Sequence, residues 1–400
     1  MKRDLLLTFN AGSSTVKLGL FEIENGQAEP LGSGILDLRE QPLELVLRTD
    51  VERRYPLTSK ITEDMRAVLG EVLQHLDDLL DTGRLIAIAH RVVHGGDRFD
   101  GPVLLADDSR KALEALIPLA PLHQPQSLRL LDALHRMRPE VFQTLSFDTA
   151  FHRSQSDIVR RFALPRQLHD QGLKRYGFHG LSYKYIASVL DKISPRAARG
   201  RTIVAHLGSG ASLCAMLDGV SQDTSMGFST LDGIPMATRC GAIDPGVVLH
   251  LLKKQGPDAV EHLLYRESGL LGLSGISADS RDLLASDRPE AEEAMAVFTF
   301  RIAGEIARLA VSLGGLDAIV FTAGIGEHQS AVRTSVCAQI RWLGVELNDE
   351  LNLRQTLRIS NSESRVEVLV VPTNEEQVIA NEALEVLHLT LPTAGLASLD

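Results

Sequence analysis

The chain has 400 residues, of which 44% are hydrophobic and 23% charged, and its formal net charge is −11. This composition is typical of a globular protein and excludes a disordered chain, and the acidic balance argues against binding to duplex nucleic acid. The length exceeds one ordinary hydrophobic core, so we expect two domains. A bound nucleotide is compatible with the charge, because backbone N–H groups and a few cations can hold phosphates locally.

The cysteines and the first residues bear on the compartment. Three cysteines are too few and too far apart for a disulfide framework or a zinc site: Cys214, Cys240 and Cys337. The apolar run at residues 5–7 ends at Thr8, which is too short for the core of a signal peptide. No apolar stretch approaches the roughly 20 residues that a membrane span needs. We therefore expect a cytoplasmic protein that does not enter a membrane.

In chain order, six short apolar runs each begin as a strand and end in polar or glycine residues. They are residues 5–14, 85–96, 144–152, 202–212, 318–327 and 368–376. Continuous apolar strands are typical of sheets that are covered on both faces, which predicts an α/β protein. Functional residues of such proteins lie where the strands end, and that is where the polar residues of these runs stand.

Two segments between these runs have helical periodicity. Residues 62–81 begin with Thr62 as a candidate N-cap and stop before Gly83. Residues 290–313 form a longer apolar pattern that ends at Gly314. We interpret both as helices that pack against the core and carry no chemistry.

A strand–turn–strand pattern occurs twice, at residues 5–21 and again at residues 202–217. A shift of 196 residues, about half the chain, places Gly12 on Gly208 and Ser13 on Ser209. Glycine–serine turns join strands in many proteins, so one recurring hairpin is weak evidence by itself. Its position in each half predicts the duplication of one domain, with a cleft between the two copies.

Three glycine-rich segments follow apolar runs and could hold phosphates. The first combines Asn10 and Gly12 with hydroxyls and a cation: Ser13, Thr15 and Lys17. It is not a Walker A loop, because no helix follows, and an ordinary hairpin is the alternative. The second contains Gly208, Ser209 and Gly210, and we interpret Gly324 and Gly326 as part of a third glycine turn. One such turn is a weak signal, but three favour a nucleotide, because a triphosphate needs several close backbone approaches.

Arginines and acids also stand at or near strand ends. Arg91 and Arg239 could clamp a phosphoryl group, since the guanidinium fork matches its oxygens, although each alone is more often a structural ion-pair residue. Asp148 and Glu375 could share a Mg²⁺ ion, which takes one or two carboxylates with phosphate oxygens and water. The alternative for both acids is a role at the start of a helix. His179, between two glycines, is either structural or a hydrogen-bond donor to phosphoryl oxygens.

Ten motifs occur together and in order from residue 10 to residue 376: NAGSSTVK, HRVVHGG, PLHQP, FDTAFH, RYGFHG, HLGSGAS, DTSMGF, ATRCGAIDPG, AGIGE and PTNEE. With these motifs the chain resembles the acetokinase family over nearly its whole length. The resemblance implies an α/β, actin-like and sugar-kinase-like fold, with two duplicated ribonuclease-H-like domains around a central cleft, usually in a homodimer. It implies an N-terminal domain of residues 1–150 plus about 378–400, and a nucleotide-binding C-terminal domain of residues 151–377. The implied reaction is ATP + acetate ⇌ ADP + acetyl phosphate.

The resemblance also implies roles for individual residues. Arg91 and Arg239 would bind the carboxylate and the phosphoryl group, and His179 would lie near the γ-phosphate. The metal set would be Asn10, Asp148 and Glu375, with Mg²⁺ as the ion and Mn²⁺ as the alternative. The apolar pocket for the acyl methyl would be Val93, Leu122 and Phe178. The nucleotide and phosphate positions would be Ser13, Thr15, Lys17, His206, Gly208, Ser209, Gly210, Gly324 and Gly326, with His123 as a further site histidine.

The chain differs from the family pattern at three positions. Ser209 and His328 stand where the family usually has asparagine, and Thr230 stands where many members have proline at the edge of the acyl pocket. The change at Thr230 bears on which acyl chain fits. Two alternatives therefore accompany acetate kinase: a propionate or other short-chain acyl kinase, and, from another class, an actin-like or chaperone-like ATPase switch. The acyl-pocket and paired-arginine motifs argue against the second.

Overall fold

The computed structural model describes residues 3–12, 15–39, 42–60, 65–79 and 83–390. The strands in this part of the chain are β1 (Arg3–Ala11), β2 (Thr15–Glu24), β3 (Gln27–Asp37), β4 (Glu44–Arg48), β5 (Glu52–Pro56), β6 (Gly83–Val92), β7 (Val103–Leu104), β8 (Phe142–Phe147), β9 (Arg201–Leu207), β10 (Ala211–Leu217), β11 (Val220–Thr224), β12 (Ala318–Thr322) and β13 (Glu367–Val370). All six apolar runs therefore begin as strands, which confirms the α/β prediction.

The helices of the described residues are α1 (Arg66–Leu79), α2 (Asp107–Ala115), α3 (Gln124–Met137), α4 (Asp157–Arg160), α5 (Arg166–Asp170), α6 (Gly180–Ile193), α7 (Pro195–Arg199), α8 (Pro245–Gln255), α9 (Pro257–Arg266), α10 (Gly269–Ser274), α11 (Ser280–Leu284), α12 (Pro289–Leu313), α13 (Ala323–His328), α14 (Ser330–Gln339), α15 (Asp349–Leu353) and α16 (Glu375–Thr390). The two predicted helices are confirmed as α1 and α12. Gly314 ends α12 with φ 67°, the left-handed conformation that glycine adopts readily. The predicted cap of α1, Thr62, lies outside the described residues.

The chain divides into two compact units. The N-terminal unit is Met1–Ala150 together with Asn374–Asp400, and the C-terminal unit is Phe151–Thr373. Helix α16 therefore belongs to the N-terminal unit, although it follows the last strand of the C-terminal unit in sequence.

The sheet of the N-terminal unit has the strand order β5-β4-β3-β2-β1-β6-β8-β7. Strands β1, β6 and β8 are parallel neighbours, and β1 to β3 form an antiparallel meander. Alternate residues of β1, including Leu7 and Phe9, pack on one face with α1 and α3. Helix α16 also packs against β1, β6 and β8. Glu376, in the first turn of α16, and Thr8 of β1 both lie close to Gly19 of β2. Thr8 points to the opposite face of β1 from Leu7 and Phe9, so the start of α16 packs on that opposite face.

The sheet of the C-terminal unit has the order β11-β10-β9-β12-β13. It again combines an antiparallel meander, β9 to β11, with strands parallel to the first one, β12 and β13. This matches the order β3-β2-β1-β6-β8 of the N-terminal unit. The shift of 196 residues aligns the ends of β1 and β9 at Ala11 and Leu207, and the starts of β2 and β10 at Thr15 and Ala211. The predicted duplication is confirmed.

The third glycine segment is not the turn that the sequence predicted. Ala323 has φ 63°, and α13 begins there directly after β12. Gly324 and Gly326 therefore lie inside a short helix. The turn prediction was wrong because Ala323 itself adopts the left-handed conformation at the strand end, so the glycines are not needed to reverse the chain.

Among the described residues, no helix has both the length and the apolar character to cross a membrane.

Three buried histidines predict acid sensitivity of the fold: His90, His94 and His152, since burial lowers the pKa of each to about 4. For His90, burial outweighs the opposing effect on the pKa of its hydrogen bond to Gln143. All three pKa values in the folded protein lie below the ordinary value of 6.5. Between about pH 4 and pH 6.5 the unfolded chain therefore binds more protons than the folded chain. The stability that these groups contribute is complete above pH 6.5 and is lost as the pH falls towards 4.

We expect the free energy of unfolding, measured by urea titration at a series of pH values, to fall across this window. His90→Gln should flatten the fall, because an uncharged amide replaces a group that binds a proton on unfolding. His262→Gln, at a histidine whose side chain is 63% exposed, is the control and should keep the wild-type slope. If the free energy of unfolding of His90→Gln falls with pH as steeply as that of the wild type, His90 is not a source of the acid sensitivity.

Candidate functional site

The strand order of the N-terminal unit gathers three sequence-predicted residues at one sheet edge. Asn10 lies at the end of β1, Arg91 at the end of β6, and Asp148 directly after β8. In the parallel register Phe9 pairs with His90, and Arg91 pairs with Ser146. Since the carboxyl ends of parallel strands meet at the same edge, the three side chains become neighbours.

Arg91 is held on two sides by hydrogen bonds. Its Nε and Nη2 atoms donate to the two carboxylate oxygens of Asp148 at 2.8 Å and 2.6 Å. Its Nη1 donates to Oδ1 of Asn10 at 3.0 Å. The side chains of Arg91 and Asp148 are only 14% and 1% exposed. This bidentate, nearly buried geometry fixes the plane and direction of the guanidinium.

Asn10 links this ion pair to the start of α16. Its amide nitrogen donates to Glu375 at 2.8 Å and to Glu376 at 2.9 Å. Asn374 accepts a hydrogen bond from the backbone N–H of Gln377, so it caps the helix. The helix-start alternative for PTNEE therefore holds for Asn374, while Glu375 lies against Asn10. Glu376 was not among the predicted site residues, although PTNEE places it beside Glu375.

The charges around Arg91 do not balance. Burial disfavours its charged form, but Asp148, and then Glu375 and Glu376, outweigh burial and raise the pKa of Arg91. One guanidinium against three carboxylates leaves a formal charge of −2 when all are ionised. Such an excess attracts a cation, because like charges in a partly buried site disfavour one another.

The oxygen donors and this charge fit Mg²⁺. No three His, Cys, Asp or Glu side chains of the described residues form a ready-made metal cluster. Mg²⁺ does not require one, since it is usually held by one or two carboxylates with substrate phosphates and several waters. Asp148 and the oxygen of Asn10 hold Arg91 in this structure. Contacts of these residues with the ion through water therefore fit better than a full protein cage.

The first phosphate turn is described in part. The backbone N–H of Gly12 donates to the carbonyl of Thr15 at 2.8 Å, which closes the turn between β1 and β2. Thr15 is partly exposed and Lys17 is exposed. Ser13 lies outside the described residues. The cradle role of this turn remains a prediction.

In the C-terminal unit, the second glycine turn approaches two histidines and an arginine. His179 has φ 57° and immediately precedes α6, and its ring stacks on that of His206 with centroids 4.3 Å apart. A methyl group built on Gly210 would lie 3.3 Å from Nε2 of His179 and 3.8 Å from Nη1 of Arg239. These predicted residues therefore meet at the turn, and a side chain at Gly210 would crowd them.

Arg239 is oriented by its own loop. Its Nη1 donates to the carbonyl of Thr230 at 3.3 Å, and its backbone carbonyl accepts from Met236. The family departure at Thr230 is thus in contact with a predicted site arginine. Ser209, the second departure, is exposed, and its carbonyl accepts from the backbone of Ala237.

The segment containing Gly324 and Gly326 is held by residues that the sequence did not reveal. Arg333 is fully buried and donates to the carbonyls of Gly326 and Glu327, both at 2.8 Å. The Glu327 carboxylate accepts from the backbone N–H groups of Ala323 and Thr373 at 2.8 Å and 3.3 Å. An arginine on a helix is usually exposed, so no pattern in the sequence marked Arg333 as buried.

The residues proposed for the acyl pocket fall in different units. Val93 is buried and Leu122 is 40% exposed in the N-terminal unit, where His123 precedes α3. Phe178 is buried in the C-terminal unit. The pocket itself remains a prediction.

Comparison with known proteins decides the family. The model of the Acetokinase family matches residues 5–381. The chain belongs to the acetokinase family. It is 47% identical to an acetate kinase of Rhodopseudomonas palustris strain TIE-1, over 94% of this chain and 97% of that protein. It is 40% identical to an acetate kinase of Rickettsia felis, over 96% of this chain and 100% of that protein.

Solved structures of the same family have the same fold. A propionate kinase from Francisella tularensis is 33% identical with a TM-score of 0.86, over 96% of this chain and 99% of that one. The acetate kinase of Porphyromonas gingivalis is 33% identical with a TM-score of 0.85, over 96% of this chain and 100% of that one. The predicted fold class, two duplicated actin-like α/β units, is confirmed.

The unequal charges around Arg91 predict unequal effects on stability. Arg91→Gln removes the guanidinium that pairs with Asp148 and interacts with Glu375 and Glu376, so we expect the free energy of unfolding to fall by about 3–5 kcal/mol. Asp148→Asn should cost less, because Arg91 keeps Asn10 and the two glutamates nearby. Arg281→Gln breaks an ion pair whose arginine is 80% exposed and should change little. Equal losses for Arg91→Gln and Asp148→Asn in denaturant titrations would contradict this charge balance.

Proposed function

We propose that the protein is an acetate kinase that transfers the γ-phosphoryl group of ATP directly, in line, to acetate, giving acetyl phosphate and ADP. The observation that carries the proposal is the buried arginine–carboxylate network at the strand ends of the N-terminal unit. Family membership and relatives named acetate kinase at 40–47% identity support it. The propionate kinase among the structural relatives keeps a short-chain acyl kinase as the second candidate.

The chemistry of the acceptor explains the kind of residues in the site. A carboxylic acid with an ordinary pKa of about 4–5 is ionised at neutral pH, so attack on phosphorus needs no general base. Catalysis must come from alignment and from neutralising the phosphoryl oxygens. Arginine, lysine and imidazole N–H groups supply this, and a serine or cysteine nucleophile has no task here.

We assign roles on that basis. Arg91 and Arg239 bind the acceptor carboxylate and the transferring phosphoryl group, and His179 donates to a phosphoryl oxygen. The nucleotide phosphates are bound by the residues of the three glycine-rich segments and one histidine: Ser13, Thr15, Lys17, His206, Gly208, Ser209, Gly210, Gly324 and Gly326.

We propose Mg²⁺ as the metal ion, held by Glu375 and Asp148 with Asn10, and Mn²⁺ as a substitute. When bound, the ion neutralises charge on the nucleotide phosphates. Asn10 orients Glu375 through its amide hydrogen bond. Asp148 fixes the orientation of the Arg91 guanidinium through two hydrogen bonds.

We propose a cytoplasmic homodimer that docks through α8. Apolar side chains at or near this helix are exposed: Ile243, Val247, Leu249 and Leu252. Asp244 stands before its first turn, and Lys253 and Lys254 stand in its last turn. If the α8 helices of two copies cross antiparallel, Asp244 of one copy lies opposite Lys253 and Lys254 of the other.

We expect light scattering to give the mass of two chains for the wild type and of one chain for Leu249→Glu, because a carboxylate would be placed in the apolar contact. A monomeric wild type would exclude the dimer.

The substrate is tested by trapping acyl phosphate with hydroxylamine in the presence of ATP and acetate, propionate or butyrate. We expect the highest kcat/KM for acetate. Propionate should be accepted to a smaller degree, because one methylene changes discrimination by only ~1–3 kcal/mol. A clear preference for butyrate would refute the small pocket. ATP hydrolysis without any acyl hydroxamate would favour the ATPase switch instead.

The arginine roles are tested by Arg91→Lys and Arg239→Lys. An ammonium group cannot reproduce the guanidinium fork, so kcat should fall by roughly 10²–10³ in each. The matched control is Arg201→Lys, because Arg201 makes a similar bidentate pair with Asp317 at the start of β9, away from the strand ends. We expect it to keep wild-type kcat. Normal turnover of a folded Arg91→Lys or Arg239→Lys enzyme would remove that arginine from the site.

A further inference from the structure

The hydroxyl group of Ser212 lies between His179 and a buried tyrosine. Its Oγ is 2.7 Å from Nδ1 of His179 and 2.5 Å from the hydroxyl of Tyr183. Ser212 and Tyr183 are both fully buried. Tyr183 stands one helical turn after His179 and donates its backbone N–H to the His179 carbonyl. The first turn of α6 and the second residue of β10 thus build a three-group chain in the C-terminal unit.

The acidities of these groups set the direction of the chain. A phenol, with an ordinary pKa of about 10, is far more acidic than an aliphatic hydroxyl, so the Tyr183 hydroxyl donates to Ser212. Serine has one proton to donate and two lone pairs that accept. Having accepted from Tyr183, Ser212 donates its proton to Nδ1 of His179. In neutral imidazole the proton then stands on Nε2.

We propose that Ser212 and Tyr183 are positioning residues that hold neutral His179 as the tautomer protonated at Nε2. This nitrogen is on the side of the ring near Gly210 and Arg239, where an N–H group can donate to a phosphoryl oxygen. The opposite tautomer would present a lone pair to an anion. The catalytic consequence rests on the proposed kinase reaction, whereas the tautomer itself does not.

The neighbouring histidine repeats the arrangement. Nδ1 of His206 lies 2.8 Å from the hydroxyl of Ser182, and its ring stacks on His179 with an angle of 18° between planes. Two stacked imidazolium ions so close together would repel each other strongly, and the guanidinium of Arg239 adds to that repulsion. The stack therefore disfavours two charged rings at once, and the two serines can set the tautomer of a neutral ring.

The tautomer is measured directly by long-range ¹H–¹⁵N correlation spectra of protein labelled with ¹⁵N-histidine. His179→Asn identifies the signals of His179 by their loss. In the wild type at neutral pH we expect a pyrrole-type Nε2 and a pyridine-type Nδ1. Ser212→Ala and Tyr183→Phe should shift both signals towards averaged values, because the Nδ1 partner is lost or can reverse its hydroxyl. Ser212→Thr keeps the hydroxyl and should keep the wild-type pattern.

Kinetics test the consequence. Ser212→Ala should lower kcat roughly 10- to 100-fold, the range for removing a partner that orients a metal-ligating histidine, which we apply here to His179. KM for acetate should change little, since the substrate contacts remain. Ser221→Ala is the matched control: it removes a buried serine 2.9 Å from Nδ1 of another histidine, His152. We expect it to lower stability but to keep kcat.

Two results would overturn the proposal: a pyridine-type Nε2 in the wild type, or unchanged His179 signals in both Ser212→Ala and Tyr183→Phe. A Ser212→Ala protein that unfolds leaves Tyr183→Phe to decide. If the wild type makes no acyl phosphate but shows the expected tautomer, the kinase proposal fails and the positioning of His179 by Ser212 stands.

Discussion

The contact between Arg91 and Asp148 is the interaction on which the site of the N-terminal unit depends. Its two short hydrogen bonds fix the guanidinium at the carboxyl ends of β6 and β8. Asn10 then joins that guanidinium to Glu375 on α16, so the sheet and the last helix share one polar network. Without the arginine, Asp148, Glu375 and Glu376 would lose the guanidinium whose charge they stabilise. The network is therefore a constraint on the fold and the basis of the proposed site.

Excess negative charge and a firmly held arginine suit the transfer of a phosphoryl group to a carboxylate. The acceptor brings its own negative charge and needs no deprotonation, so what the protein must supply is fixed positive charge and N–H donors. In the proposed reaction Arg91, Arg239 and His179 are such donors. The carboxylates around Arg91 keep it charged and oriented, and their excess charge suits a divalent cation.

Most of the fold was predictable from the sequence, because it depends on patterns that repeat. Apolar strands with polar ends indicated the sheets, and the strand–turn–strand pattern near Gly12 and Gly208 indicated the duplication. Motifs indicated residues that the structure brings together, such as Arg91 with Asp148 and His179 with His206, while the roles of these residues stay predictions. The bond between Ser212 and His179 was not predictable, because it joins residues 33 positions apart through tertiary packing. The sequence also did not predict the burial of Arg333 or the helical conformation of Gly324 and Gly326. A buried charge and a left-handed alanine produce no periodic pattern in a sequence.

The central claim is that the carboxylates act through charge and the metal ion, without transferring a proton, and Mg²⁺ titration of activity tests it most directly. Asp148→Asn and Glu375→Gln should each raise the Mg²⁺ concentration needed for half-maximal rate, and the double variant should show less than additive loss, because both support one ion. Asp132→Asn, whose aspartate forms the same bidentate contact with Arg110, should keep the wild-type curve. If Asp148→Asn instead leaves the Mg²⁺ curve untouched and changes only the pH profile, Asp148 transfers a proton and the claim is wrong.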